Sequence, residues 1–212
     1  MAVRPKFKTF TPAAASLTGF ASNVTGATWT LTTTATSDSL AHRVSIKNDA
    51  ATDHSTKTMI LTGTDADNKV ITETLNMPTG SGGATPTRES VSYFKTLVTI
   101  VPSATIGVDT MDIGWVDEFV SNTIPYNHKG DTAGINVTVT GTINYSAQYS
   151  YSDIQRDTTF EWEDSNDTNL VSATTDQTSN ISFSVMATRI KVNSYSTGAT
   201  LRYAIVQFDE VA

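Results

Sequence analysis

The sequence predicts an all-β fold: two antiparallel sandwich-like or jelly-roll-like lobes, preceded by an extended N-terminal arm. Apolar residues recur at every second position, no segment has the i, i+3, i+4, i+7 spacing of an amphipathic helix, and turn-forming residues separate the apolar runs at short intervals. A period of two places apolar side chains on one face of a strand and polar ones on the other. The abundant threonine fits that polar face, because β-branched residues are favoured in strands.

Composition limits the classes of protein that the chain can represent. The 212 residues are enough for one or two domains with a buried core. The net charge of -7 argues against a general nucleic-acid binder, since phosphate contacts need clustered Lys and Arg. The chain has no cysteine, which excludes disulfides, Cys-ligated zinc and thiol nucleophiles. No signal-peptide core and no apolar run of the ~20 residues needed to span a bilayer is present, so we expect no membrane partner.

The first predicted β domain covers residues 21–120 and contains a clear hairpin. Thr58–Thr62 leads into a turn at Asp65–Asn68, and Lys69–Leu75 returns. Asp and Asn favour such turns because their side chains form hydrogen bonds with the local backbone. Residues 77–88, rich in Gly, Pro, Ser and Thr, are predicted to be a loop.

The second predicted β domain covers residues 134–212 and follows a linker at residues 121–133 that contains Pro, Gly and mixed charge. Its main feature is a predicted long alternating strand, Ile135–Tyr151. Within it, Tyr145, Tyr149 and Tyr151 form an aromatic stripe. Burial in the core or in a subunit interface is favoured for this stripe, and stacking on sugar rings or bases is the alternative.

The predicted N-terminal arm, residues 1–20, is the first candidate binding element. Its basic residues Arg4, Lys6 and Lys8 alternate with apolar ones in an otherwise acidic chain. Two interpretations stay open. The segment is a frayed terminus, or it becomes ordered against an acidic neighbour with Phe7 and Phe10 as anchors.

A second candidate contact surrounds Phe160 and Trp162, where acidic residues are concentrated. Aromatic residues are enriched in interface cores, so this segment is predicted to touch a partner. Glu161 and Glu163 could in principle act as the paired carboxylates of a glycoside hydrolase, the weakest of the alternatives considered.

The chain offers no pattern typical of a metal or cofactor site. His42, His54 and His128 show no ligand spacing, and His42 lies on the apolar side of an alternating strand, which favours a packed, hydrogen-bonded histidine. The run Asp65–Asn68 is similar to the start of a calcium loop but lacks the glycine at the sixth loop position, so a plain turn is favoured. We therefore predict no cofactor, no metal and no catalytic residues.

Several strand-and-turn segments resemble structural proteins of tailed bacteriophages. The resemblance extends from about Ser39 to Gln207, and the sequence departs from it at Phe160–Thr168. The segments that carry it are Met59–Thr74, Tyr93–Thr96, Ile124–Asn127, Val137–Asp153, Ala187–Asn193 and Ala199–Gln207.

The resemblance implies a virion component rather than an enzyme, assembled in the cytoplasm of a bacterial host. The leading hypothesis is a capsid cement or decoration protein. It would bind the outer shell as a trimer or dimer and reinforce the major capsid protein, or other virion proteins, partly through the N-terminal arm. Two alternatives stay open: a head-to-tail or tail ring component, and a module that binds carbohydrate or a host receptor through the tyrosine stripe, Trp115 or Trp162.

Overall fold

The protein is all-β. A computed structural model describes residues 6–126, 133–153, 156–157, 160–182 and 184–207, and within these ranges it contains one short 3-10 helix, Thr168–Leu170, and no α-helix. Strand pairs in both halves of the chain are antiparallel, so the predicted all-β, sandwich-like class is confirmed. The strands are β1 Lys6–Phe10, β2 Ser16–Val24, β3 Ala41–Asn48, β4 Thr58–Thr64, β5 Val70–Asn76, β6 Thr87–Phe94, β7 Thr96–Pro102, β8 Met111–Val120, β9 Ile124–Pro125, β10 Ala133–Thr140, β11 Ile143–Ser150, β12 Glu163–Asp164, β13 Gln177–Ile181, β14 Ala187–Tyr195 and β15 Thr200–Gln207.

The chain divides into two compact units. The central unit is Ala13–Phe119, and the flanking unit combines Met1–Pro12 with Val120–Ala212. The predicted arm, residues 1–20, is therefore shared between the two: β1 belongs to the flanking unit and β2 to the central one. Long-range pairing explains this division, because β1 pairs with β15 whereas β2 pairs with β8. Residues 127–132 of the predicted linker lie outside the described residues.

The central unit holds a three-stranded sheet, in the order β5-β4-β7, and a second set of strands in which β8, β3 and β6 are neighbours and β2 pairs with β8. Alternate residues of these strands form its core, in which the following side chains are fully buried: Phe20, Val44, Ile46, Met59, Leu61, Phe94 and Ile113.

The predicted hairpin is confirmed as β4 and β5. Their pairing runs from Thr58 opposite Asn76 to Thr64 opposite Val70. In the turn, Asp65 Oδ1 accepts hydrogen bonds from the backbone N–H groups of Asp67 and Lys69, both at 2.9 Å. Asp65 thus acts as a local turn former, as its residue type favours.

The flanking unit is built from two groups of paired strands. One is the sheet β1-β15-β10-β13, and the other places β11 between β12 and β14, with β9 also paired to β14. Thr188 of β14 and Tyr203 of β15 are both buried, and their hydroxyl oxygens lie 2.5 Å apart, so the two groups face each other across a shared core.

The predicted single strand Ile135–Tyr151 is wrong. It is two strands, β10 and β11, that belong to different sheets of the flanking unit. The chain passes from one to the other at Gly141, whose φ of +79° is easily reached only by glycine. Alternation of apolar and polar residues continues on both sides of this crossing, because each strand directs its apolar residues to one face, and the sequence pattern therefore hides the break.

Candidate functional site

The most distinctive surface of the flanking unit is the edge strand β1. It is the outermost strand of its sheet, and it pairs with β15 on one side. Lys6, Lys8 and Phe10 share a face because side chains alternate along a strand. They lie opposite Ile205, Tyr203 and Leu201, which are buried core residues.

A groove of about 480 Å³ runs beside β1. One wall is Lys6–Lys8, and the other is Asn122–Pro125, which includes the short strand β9. The Lys6 ammonium donates a hydrogen bond to the Pro125 carbonyl oxygen at 3.3 Å, linking the two walls at one point. The groove is therefore a defined concave site on one compact unit.

The groove combines positive charge with an exposed aromatic ring. Phe7 points to the face opposite the lysines and is 59% exposed. The Arg202 guanidinium lies 5.0 Å from the centre of the Phe7 ring, within the range of a cation–π contact. Arg202 therefore lies on the same face as Phe7, and Lys6 and Lys8 lie on the other face of β1, in a chain whose net charge is -7.

An edge strand of this kind can bind an extended segment. The outer side of an edge strand presents backbone N–H and C=O groups that another strand can pair with. Added strands gain affinity from main-chain hydrogen bonds and specificity from alternate side chains. Here the neighbouring lysines favour acidic side chains, and Phe7 favours an apolar one.

The structure separates the predicted arm residues into different roles. Lys6 and Lys8 line the groove, and Phe7 is at the surface. Phe10 is 5% exposed and packs in the core, so its prediction as a partner anchor is wrong. The alternation of β1 is the reason, because Phe10 faces Leu201 rather than solvent. Arg4 lies outside the described residues.

The second predicted contact is partly covered by the protein itself. Phe160 and Trp162 are half-buried, and the Arg189 guanidinium lies 4.2 Å from the centre of the Trp162 ring. Arg189 is held there by a hydrogen bond from its Nε to Gln148 Oε1 at 2.8 Å. The adjacent Glu163 is exposed and pairs, through β12, with Tyr149 of β11.

The tyrosine stripe is mainly core. Tyr145 and Tyr149 are buried, whereas Tyr151 is exposed. Tyr145 donates its hydroxyl to the Thr175 carbonyl oxygen at 2.9 Å, and the Tyr149 and Ser165 hydroxyls are 2.9 Å apart. Burial of Tyr145 and Tyr149 confirms that the core prediction holds for these two, and neither ring is available to stack on a sugar.

His42 is a packed core histidine, as predicted. It is fully buried, and its Nε2 lies 2.9 Å from Asp38 Oδ2. Burial alone would raise the pKa of Asp38, but the His42 hydrogen bond and charge, with backbone N–H donors from Ala13 and Leu40, lower that pKa to about 2. This pair accounts for His42 as a structural group of the central unit.

His54 is also a buried, hydrogen-bonded histidine of the central unit. It lies 2.9 Å from Asp109 and 3.0 Å from the Lys57 ammonium. His128 lies outside the described residues. Among the residues that the structure does describe, no group of three or more His, Cys, Asp or Glu side chains is placed to hold a metal ion. Within the same ranges, no helix is long and apolar enough to cross a membrane.

Two parts of the site, one wall of the groove and the cation that contacts Phe7, were not predicted from the sequence. The wall Asn122–Pro125 was assigned to the linker, and Arg202 was an ordinary polar position in an alternating strand. Both reach the site through pairings with residues far away in the chain, β9 with β14 and β15 with β1.

Comparison with known proteins gives no family assignment. No family model matches the chain, and no curated protein matches it. One solved structure, described as "Structure of infectious bursal disease virus Gx strain", aligns with 97% of this chain and 71% of its own at 13% identity, with a TM-score of 0.18. A likeness at that TM-score supports no conclusion about function.

Proposed function

We propose that this chain is a structural protein of a tailed-bacteriophage virion, a cement protein that binds the outer shell through β1 and the groove beside it. The single observation that carries this proposal is an exposed Phe7 flanked by two lysines on an edge strand. The resemblance of the strand-and-turn segments to phage virion proteins supplies the setting. Strand addition supplies the mechanism, and it requires no bond to be made or broken.

The shell-side ligand in this proposal is an extended, acidic segment of the major capsid protein. Its backbone would extend the sheet beside β1, and its carboxylates would lie near Lys6 and Lys8. Full burial of a phenylalanine side chain such as Phe7 contributes about 1.5–3 kcal/mol. A single contact of this size is weak, so reinforcement would depend on many copies that bind the same shell.

The test measures binding of the purified protein to shells that lack it, by co-sedimentation. We expect Phe7→Ser to weaken binding at least tenfold, since a loss of about 1.4 kcal/mol corresponds to a factor of ten. Leu17→Ser is the matched control, because Leu17 is an exposed apolar strand residue of the central unit. Equal binding by Phe7→Ser and the native protein would overturn the proposed contact.

A charge variant tests the electrostatic part separately. Lys6→Glu with Lys8→Glu should weaken shell binding, and raising the salt concentration should also weaken binding of the native protein, since salt screens exposed charges.

Counting copies of the chain per purified virion by mass spectrometry tests whether it is a component of the virion shell. Hundreds of copies support a shell protein, about a dozen would replace it with a neck or tail ring, and none would overturn the virion proposal.

A further inference from the structure

One face of the three-stranded sheet β5-β4-β7 carries no charged residue. Met59, Leu61, Ile100 and Leu97 point to the opposite face and are buried in the core of the central unit. On the outward face every residue except one asparagine is threonine, valine or isoleucine. These outward residues are Thr58, Ile60, Thr62 and Thr64 of β4, Val70, Thr72, Thr74 and Asn76 of β5, and Thr96, Val98, Thr99 and Val101 of β7.

The apolar members of this face are well exposed. Ile60 is 43%, Val98 54%, Val101 55% and Val70 77% exposed. Ile60 and Val101 are directly paired across β4 and β7, and a register irregularity between Thr62 and its neighbour brings Val98 to the same surface. Ile60 and Val101 therefore form an apolar pair, Val98 lies on the same face, and Val70 lies beside Thr64 at the other end of β4. Exposed apolar surface of this kind marks interaction sites.

This face lacks the charged side chains that discourage association between strands. Solvent-facing strands commonly carry Lys or Glu, which discourage unwanted association. The chain has 14 basic and 21 acidic residues, and none of them lies on these outward positions. The charges are found at the strand ends instead. Lys57, Lys69 and Lys95 immediately precede β4, β5 and β7.

The distribution matches the anatomy of a protein interface, which has an uncharged centre and a polar, charged rim. The rim lysines are anchored by the protein itself. Lys57 Nζ donates to the Thr105 carbonyl oxygen at 2.7 Å, and Lys95 Nζ donates to Asn68 Oδ1 at 2.8 Å. These bonds hold two of the cations at loop residues beyond the strand ends.

We propose that this face binds the same face of a second copy of the chain. Two copies with a net charge of -7 repel each other, so they can approach most easily through a surface that carries no charge. A charged partner surface would lose its hydration there without gaining a counter-charge. Flat β-branched faces pack well against each other as two sheets about 10 Å apart. A two-fold axis makes such a contact self-complementary.

The first experiment measures the mass of the full chain in solution by analytical ultracentrifugation over a range of concentrations. The native protein should form a dimer, and Ile60→Lys combined with Val101→Lys should be monomeric, with at least a hundredfold weaker association. Val108→Lys is the matched control, because Val108 is a loop valine of the same unit that is 94% exposed. We expect Val108→Lys to dimerise like the native protein.

The second experiment uses crosslinking and does not depend on the fold of the lysine variants. The chain contains no cysteine, so Thr62→Cys introduces a single thiol at the centre of the face. A short bis-maleimide should link two Thr62→Cys chains into a covalent dimer, and Val108→Cys should remain uncrosslinked. A native protein that stays monomeric, a dimer that survives both lysine substitutions, or equal crosslinking at Val108→Cys would overturn the proposal. The shell-binding assay with Phe7→Ser has no bearing on this result.

Discussion

The two compact units stabilise their buried polar groups by different means. In the central unit, the buried histidines are paired with carboxylates, His42 with Asp38 and His54 with Asp109, both at 2.9 Å. The flanking unit buries hydroxyl groups of tyrosine, serine and threonine, and the hydroxyl of the fully buried Tyr203 lies 2.5 Å from the Thr188 hydroxyl. The core of the central unit therefore depends on an ionised carboxylate, that of Asp38, and the core of the flanking unit on a neutral phenol, that of Tyr203.

This difference gives the two units opposite sensitivities to pH. The pKa of Asp38 is lowered from 3.8 to about 2, which favours its ionised form in the folded protein. Burial raises the pKa of Tyr203, which favours the neutral phenol, and the Thr188 hydrogen bond opposes this only in part. The central unit should lose stability in acid, and the flanking unit in alkali.

The largest expected effect is the removal of the Tyr203 side chain. Tyr203→Ala should lower the free energy of unfolding by about 3–5 kcal/mol, because it leaves a large cavity in the core of the flanking unit. Tyr203→Phe keeps the ring but leaves the buried Thr188 hydroxyl without this partner, which should cost about 1–3 kcal/mol. Urea unfolding measures both values. Equal losses for the two variants would mean that the hydroxyl, not packing, dominates this site.

The second effect concerns the carboxylate of the central unit. Asp38→Asn should lower the free energy of unfolding by about 1–3 kcal/mol at neutral pH, since it weakens the bonds to buried His42 and to two backbone N–H groups. Asp67→Asn, at an exposed turn position, is the control and should change stability by no more than ~0.5 kcal/mol. Thermal or urea unfolding measures both variants.

The same carboxylate predicts an acid transition. Because the pKa of Asp38 is lower in the folded state, its contribution is complete above the unfolded value of 3.8 and is lost as the pH falls toward about 2. The free energy of unfolding of the native protein should therefore fall across this window by about 2 kcal/mol. Asp38→Asn should show a shallower decline in the same titration, and an unchanged slope would contradict the role of Asp38.

The smallest expected effect is the loss of folding stability at alkaline pH. The pKa of Tyr203 is raised in the folded protein, so its contribution is complete below the ordinary tyrosine pKa of about 10 and is lost as the pH rises beyond it. Tyr203→Phe should reduce the loss of stability above pH ~10. Tyrosinate absorbance, followed together with unfolding, would show whether Tyr203 ionises only when the protein unfolds, as expected.

The sequence was informative where a structure depends on neighbouring residues. The β4–β5 hairpin was predictable because Asp65 forms its turn bonds within four residues. The crossing at Gly141 was not, since alternation continues through it and only the choice of partner strands separates β10 from β11. The same distinction between local and long-range information applies to the candidate groove. Its lysines were visible in the sequence, whereas burial of Phe10 required knowledge of its pairing with Leu201.

The pairing of β1 with β15 also fixes an order of events during synthesis. The central unit is continuous in sequence, so all of its strands are synthesised before β10. Residues 6–10 must wait for their partners at 201–205, although they are made first. Pairing over so long a sequence separation is slow, and unpaired apolar strands are prone to aggregate. Throughout translation, Phe7 and Phe10 would thus be a natural target for chaperones.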